Sequence, residues 1–272
     1  MAAAANERRM IFFTGLPAAG KSLFLQQQTL LAADAGKRIH FLRWDIALAA
    51  FQEKSLLTKY PDTDGVTHPL IRKAAGLWSR RAIARWQLEF PGSEELLIGE
   101  FPISGNRFVE LVQVMDDDVE PVLAGDSAVF FVPVPTNEVR RKLVAKRQAS
   151  ISNPQHSDET RDAPMSTLEN VWRETRYLAG DLGLISVTED SSSVDYDQTI
   201  YACFFQHLLQ HRNNRVLAVE EMYAGVGSAH DFNVECCEII ASASEANECV
   251  SVLESTWNRE EINRSVESWY NV

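Results

Sequence analysis

The sequence predicts an α/β protein: a three-layer arrangement in which a parallel sheet of about five strands carries helices on both faces. Two observations predict it. Apolar runs typical of strands recur along the chain: "MIFFT" (10–14), "RIHFLRWD" (38–45), "EELLIGEFP" (94–102), "SAVFFVPVP" (127–135) and "NRVLAVEE" (214–221). Helical stretches separate them, at 21–36, 66–89, 105–117, 136–149, 166–180 and 195–211. Strands that alternate with helices pair in parallel and are covered on both sides. With 272 residues, 45% of them hydrophobic, the chain has ample material for a core. Its 13 glycines and 10 prolines are too few for a low-complexity chain.

The first strand candidate, "MIFFT", is a short unbroken apolar run of the kind buried in a parallel sheet. It breaks at Gly15, and residues 15–22 read Gly-Leu-Pro-Ala-Ala-Gly-Lys-Ser, a full match to G-x-x-x-x-G-K-[ST]. "KSLFLQQQTLLAADAG" then places Leu23, Leu25, Leu30 and Leu31 on a helix and ends at Gly36. Strand, glycine turn and helix form the context this motif requires. Glycines at 15 and 20 let successive backbone N–H groups turn inward toward phosphate oxygens, and the helix that follows adds the positive end of its dipole. The expected nucleotide-binding residues are Gly15, Leu16, Pro17, Ala18, Ala19, Gly20, Lys21 and Ser22. Lys21 would bridge the β- and γ-phosphates of ATP, and Ser22 would offer its hydroxyl to Mg²⁺.

Ligands of open parallel sheets sit beyond the carboxyl ends of the strands. Asp45, Glu100 and Glu220 or Glu221 end strand candidates and are expected near the cradle. A carboxylate there can hold Mg²⁺ or take the proton of an attacking hydroxyl. Glu100, which follows "LLIG", is the expected second metal residue. Asp45 is either a catalytic base or the N-cap of a helix beginning "IALAAFQ". Two basic clusters, Arg72, Lys73, Arg80, Arg81, Arg85 and Arg140, Arg141, Lys142, Lys146, Arg147, either line a pocket for a phosphorylated ligand or are solvated helix faces. The segment 148–164, "QASISNPQHSDETRDAP", is polar and aperiodic and reads as a loop. It is either a lid that closes on the site or an ordinary connection.

These stretches together resemble a known group. "GLPAAGKS" looks like the loop of small P-loop kinases, where Gly-Leu-Pro openings are frequent. "IGEFPISGNRFVELV" resembles the adenylate-kinase segment that lines the acceptor nucleotide: Phe101 and Pro102 match. Gly99-Glu100 stands reversed against that family, Ile103 replaces an arginine and Arg107 a glutamine. "VFFVPVPTNEVRRKLVAKR" is similar to the fourth strand and lid-entry helix of nucleoside monophosphate kinases. "ETRDAPMSTLENVWRETRYL" resembles the lid exit, with Arg161 and Arg173. The resemblance spans residues 10 to about 180. It implies the P-loop NTPase fold with strand order 2-3-1-4-5, an acceptor-binding insertion at 56–90 and a mobile lid at 148–165. The implied roles are Lys21, Asp45, Arg141 and Arg147 in catalysis, Arg72, Arg80, Arg81, Phe101 and Arg107 at the acceptor, Arg161 in the lid, and Ser22 and Glu100 on Mg²⁺.

The expected activity is transfer of the γ-phosphoryl of Mg-ATP to a nucleotide-like or hydroxyl-bearing acceptor, such as a nucleotide, a nucleoside or a 5′-hydroxyl polynucleotide end. The competing reading is an ATP-binding regulatory or assembly module with little acceptor chemistry, to which the acidic surface and the long tail point. A net charge of −12 argues against an extended nucleic-acid surface. No apolar run approaches the roughly 18 residues of a membrane span. The four cysteines (Cys203, Cys236, Cys237 and Cys249) lack metal-ligand spacing and read as reduced thiols of a cytoplasmic protein. His207 and His211 read as helix surface, "MDDDVE" (115–120) as a solvated turn, and Trp78 and Trp86 as core. The domain is expected over 1–221, with 222–272 a helical appendage offering a partner or oligomer surface.

Overall fold

The computed structural model describes residues 1–272 except 64–65, 155, 158, 160–163, 186–194 and 224–227. Helix α1 (Ala2–Glu7) precedes β1 (Met10–Thr14), and α2 (Lys21–Asp34) follows it. Strand β2 (Arg38–Arg43) runs into α3 (Trp44–Ala47), a 3₁₀ turn (Leu48–Gln52) and α4 (Lys54–Lys59). Helix α5 (Pro69–Glu89) leads to β3 (Glu95–Phe101), and a 3₁₀ turn (Val109–Leu111) with α6 (Glu120–Ala124) leads to β4 (Ala128–Pro135). Then come α7 (Asn137–Ser152), α8 (Met165–Asp181), α9 (Gln198–Leu208), β5 (Asn214–Val219), β6 (Cys236–Glu238), α10 (Ala243–Thr256) and α11 (Arg259–Glu267).

The strands form one sheet in the order β5-β4-β1-β3-β2-β6, with every neighbouring pair parallel. Every residue of β1 and β4 is buried, as a parallel strand covered on both faces requires. Alternate side chains feed two cores. Phe12, Phe101 and Phe130 meet with ring centroids 4.9, 5.6 and 6.3 Å apart on the face covered by α5 and α8–α11. Ile11, Phe13, Ile98 and Phe131 point to the other face, onto α1 and α2. Parallel pairing brings the carboxyl ends of β1 and β3 level, with Phe13 opposite Glu100 and Arg43 opposite Glu100 on the other side. The site is assembled at that edge.

Four expectations differ from the structure. The sheet has six strands; the sixth, Cys236–Glu238, adds to the free edge of β2. The stretch 105–117 is not a helix but a loop around one 3₁₀ turn, because Ile103, Gly105, Asn106 and Phe108 all adopt positive φ, which no right-handed helix tolerates. Asp45 is no N-cap: β2 ends at Arg43, which caps α3, and Asp45 lies in the first turn of that helix. The "MDDDVE" run is not simply solvated, since Asp117 and Glu120 bind the buried Arg80, and Glu120 also binds the buried Arg212 at 2.8 Å. Residues beyond 235 add strand β6 to the sheet and turn the apolar faces of α10 and α11 inward, with Cys249, Val250, Leu253 and Ile262 buried in the same core as α5. Trp78 and Trp86 are core residues, at 1% and 2% exposure. Among the described residues no helix is long and apolar enough to cross a membrane.

Candidate functional site

The loop between β1 and α2 turns through three residues with positive φ: Gly15 at 133°, Ala18 at 56° and Gly20 at 92°. Gly20 stands at the N-cap of α2, so the first backbone N–H groups of that helix have no carbonyl partner within it. The loop is braced from far along the chain. The Leu16 N–H donates to the Tyr201 hydroxyl at 3.1 Å, and Arg140 donates to the Pro17 carbonyl while its guanidinium lies 5.5 Å from the Tyr196 ring. Gly15 is required by packing as well as conformation, because a Cβ there would stand 2.0 Å from the Tyr201 oxygen. Burial raises the Tyr201 phenol well above its ordinary value, so it stays protonated. Tyr201 and Tyr196 escaped the sequence reading, and Arg140 figured there only as one of a basic cluster. No short-range pattern marks a brace 185 residues from its target.

Lys21 is 7% exposed and folds back to donate to the Leu16 carbonyl at 2.9 Å. Burial pulls its ammonium down to about 8, against the opposing pull of Glu100. Ser22 donates through Oγ to Glu100 Oε1 at 3.0 Å. The two residues expected at Mg²⁺ therefore touch, although 78 positions separate them. They open into a cleft of about 680 Å³ at the carboxyl edge of the sheet, whose walls also include Asp45, Phe101, Arg107 and Arg147.

The remaining arginines divide sharply. Arg141 lies outside this cleft, in a shallow polar depression with Thr136 and Glu220. Arg80 is 2% exposed and is held by both Asp117 oxygens, Glu120 and the Glu110 carbonyl. Arg81 pairs with Glu248 of α10 at 3.1 Å. Neither lines the cleft, for a geometric reason: α5 is 21 residues long, about 30 Å, and only its first turns reach the carboxyl edge. Arg72, in those first turns, donates to the Gly105 carbonyl at 2.6 Å and stands beside Arg107. Arg161 lies outside the described residues.

The expected lid is helical as far as Ser152 and again from Met165. Between them Asn153, Glu159 and Pro164 line the cleft, and the Ser228 hydroxyl donates to Glu159 at 2.7 Å. Gln26 of α2 donates to the Ser228 and Asp231 carbonyls at 3.0 and 2.7 Å, which ties the far wall to the helix behind the loop. The Tyr223 ring meets Phe24 edge-on at 6.0 Å on the same wall. Glu221, one of the two glutamates expected near the loop, lines the cleft beside Tyr223, whereas Tyr223, Ser228 and Asp231 escaped the sequence reading because they lie beyond the last helix–strand alternation.

Chemically, the cleft joins a glycine loop at a helix N-terminus, the buried Lys21 ammonium, the oxygens of Ser22, Asp45 and Glu100, and three arginines, Arg43, Arg107 and Arg147, of which Arg43 pairs with Glu238. Among the described residues no three His, Cys, Asp or Glu side chains come together to hold a metal. Mg²⁺ needs no such cage: it is commonly held by one or two protein oxygens and completed by phosphates and water. Ser22 and Glu100 fit that donor set. No protein-family model matches the chain, and no curated protein matches it significantly.

Proposed function

We propose that this protein is a P-loop phosphotransferase that moves the γ-phosphoryl of Mg-ATP to a small acceptor. The observation that carries the reading is the Ser22–Glu100 contact at the head of α2, which joins the last residue of the loop motif to a carboxylate of the neighbouring strand. The strand order supports it as well: read from β2 to β5 the sheet runs 2-3-1-4-5, the order expected of the resembled kinases.

In this reading the phosphates occupy the loop from Gly15 to Gly20. Lys21 exchanges its Leu16 carbonyl for the β- and γ-phosphate oxygens, where its ammonium is stabilised rather than merely desolvated. Mg²⁺, when bound at Ser22 and Glu100, would neutralise charge between the β- and γ-phosphates. Arg147, which also lines the cleft, is close enough to influence Lys21 and stabilises charge on the transferring group. Asp45 receives the proton of a hydroxyl acceptor. Arg141, Arg80 and Arg81 have no part in it.

ADP release from Mg-ATP tests the reading, with and without pooled nucleoside monophosphates, nucleosides, phosphorylated sugars and 5′-hydroxyl oligonucleotides. Stimulation by one pool that disappears in Lys21→Ala is the expected result. Saturable ATP binding with no stimulation by any pool would favour a regulatory or assembly module.

A further inference from the structure

The loop that follows β3 is built in an unusual way. Ile103, Gly105, Asn106 and Phe108 have φ of 62°, 69°, 56° and 62°, and paired Ile103 and Arg107 backbone bonds of 3.1 and 3.0 Å close the turn. A β-branched isoleucine rarely adopts this conformation, and such backbones persist where surrounding structure enforces them, commonly at ligand sites. Asn106 is fully buried, and neither its amide nitrogen nor its amide oxygen has a partner among the described residues; the same holds for the Ser104 hydroxyl. The loop's product is the placement of Arg107 on the cleft wall.

Arg107 does not stand alone. Its Nη1 and that of Arg72 lie 3.6 and 3.9 Å from the point where a Cβ on Gly105 would be, so the two guanidinium groups converge. Arg72 donates to the Gly105 carbonyl at 2.6 Å, Arg107 to the Ser104 carbonyl at 3.3 Å, and Arg72 Nε is buried without a partner. No carboxylate lies within ion-pair distance of either among the described residues, whereas the buried Arg80 and Arg212 of the same protein are both neutralised. Burial and the neighbouring Arg107 pull Arg72 down to about 10. Two adjoining, partly desolvated cations, with the charges of Glu174 and Asp45 felt only from beyond ion-pair distance, suit an oxyanion ligand.

Asp45 fixes what that oxyanion is not. It lines the same cleft, and its charge is felt both by Lys21 of the cradle and by Arg107. A phosphate nucleophile is already anionic, needs no base and would be repelled by a carboxylate beside it. A hydroxyl needs a proton acceptor. We infer that the acceptor is a small hydroxy compound that also carries a phosphomonoester, with the phosphate at Arg107 and Arg72 and the hydroxyl at Asp45. This rests on the phosphotransferase reading and deepens it. The hydroxyl oxygen bonds to the γ-phosphorus, the bond from that phosphorus to the β,γ-bridging oxygen breaks, ADP leaves, and the hydroxyl proton passes to Asp45. The product is a second phosphomonoester, not an anhydride.

The test saturates the cradle with a non-hydrolysable ATP analogue and Mg²⁺, then titrates inorganic phosphate by calorimetry. Wild type should show one saturable phosphate site. Arg107→Gln should weaken it at least about tenfold, Arg107→Lys should retain most of it through the remaining charge, and neither should change analogue affinity. Absence of a second site, or one indifferent to Arg107→Gln, overturns the inference while leaving the phosphotransferase reading intact. Failure to bind the analogue overturns both. Ribose 5-phosphate, glycerol 3-phosphate and adenosine monophosphate, each beside its dephosphorylated parent, then test the nucleophile by ³¹P NMR of the product. A new monoester from the phosphorylated set is expected. An anhydride, equal use of the neutral parents, or use of neither set overturns the assignment of Asp45.

Discussion

Ser22 Oγ donates a 3.0 Å hydrogen bond to Glu100 Oε1, linking the first turn of α2 to the end of β3. The parallel register produces this contact, because β1 carries the loop into α2 while β3 runs beside it with Glu100 opposite Phe13. If these oxygens hold Mg²⁺, Glu100→Gln should leave the fold intact and reduce turnover about 100-fold. ATP affinity measured in EDTA should not change. Parallel assays with Mg²⁺ and EDTA check this, and equal losses in both would mean that Glu100 serves the fold instead.

If the loop holds nucleotide as proposed, Lys21 should couple pH to its binding. Its pKa of about 8 in the free protein rises when phosphate oxygens surround it, so binding takes up a proton above that pH. Mg-ATP affinity should be level below about pH 8 as far as Lys21 is concerned, and then weaken about tenfold per pH unit. Calorimetry in buffers of different ionisation enthalpy would detect the proton uptake directly.

The same lysine lowers the stability of the unliganded protein. Its folded pKa lies below its ordinary 10.5, so between about 8 and 10.5 the unfolded chain binds more protons and stability rises with pH. Below about pH 8 the full cost of the buried ammonium is present. Lys21→Met should therefore raise unfolding stability at pH 7 by about 1–3 kcal/mol, with the gain fading toward pH 10.5. Thermal unfolding of the two proteins at pH 7 and pH 10 checks both the sign and the window.

Tyr201 and Gly15 set the shape of the loop together. Tyr201→Phe leaves the buried Leu16 N–H without its acceptor and should cost about 1–3 kcal/mol. It should also raise the KM for ATP more than a variant of equal stability elsewhere in α9. Gly15→Ala should be worse, since it combines a 2.0 Å approach to the Tyr201 oxygen with a φ of 133°.

Arg80 and Arg81 should behave as structural residues. Arg80→Ala removes a buried guanidinium that binds Asp117, Glu120 and a backbone carbonyl, and should cost about 3 kcal/mol without altering acceptor KM at permissive temperature. Arg81→Ala breaks an exposed pair and should stay within about 0.5 kcal/mol of wild type. Denaturant unfolding and acceptor kinetics on the two variants separate stability from binding.

The central strands were legible because β1 and β4 are buried on both faces, which leaves an unbroken apolar run that little else produces. The loop between β1 and α2 was legible because its strand, its glycines and its helix follow one another directly in the chain. The arginines were not, because a guanidinium reads the same in sequence whether it faces a cleft, as Arg107 does, or a buried acidic cluster, as Arg80 does. Strand β6 escaped because three residues including two cysteines carry no periodicity. The loop after β3 escaped for a different reason: only tertiary packing holds Ile103 at positive φ, against its own preference.

Titration of ATP into the protein with Mg²⁺, for wild type and Lys21→Ala side by side, decides whether the loop from Gly15 to Ser22 is a nucleotide site. Wild type should show one saturable site that is lost or weakened at least about 100-fold in the variant. No binding by wild type, or equal binding by both, would contradict that assignment.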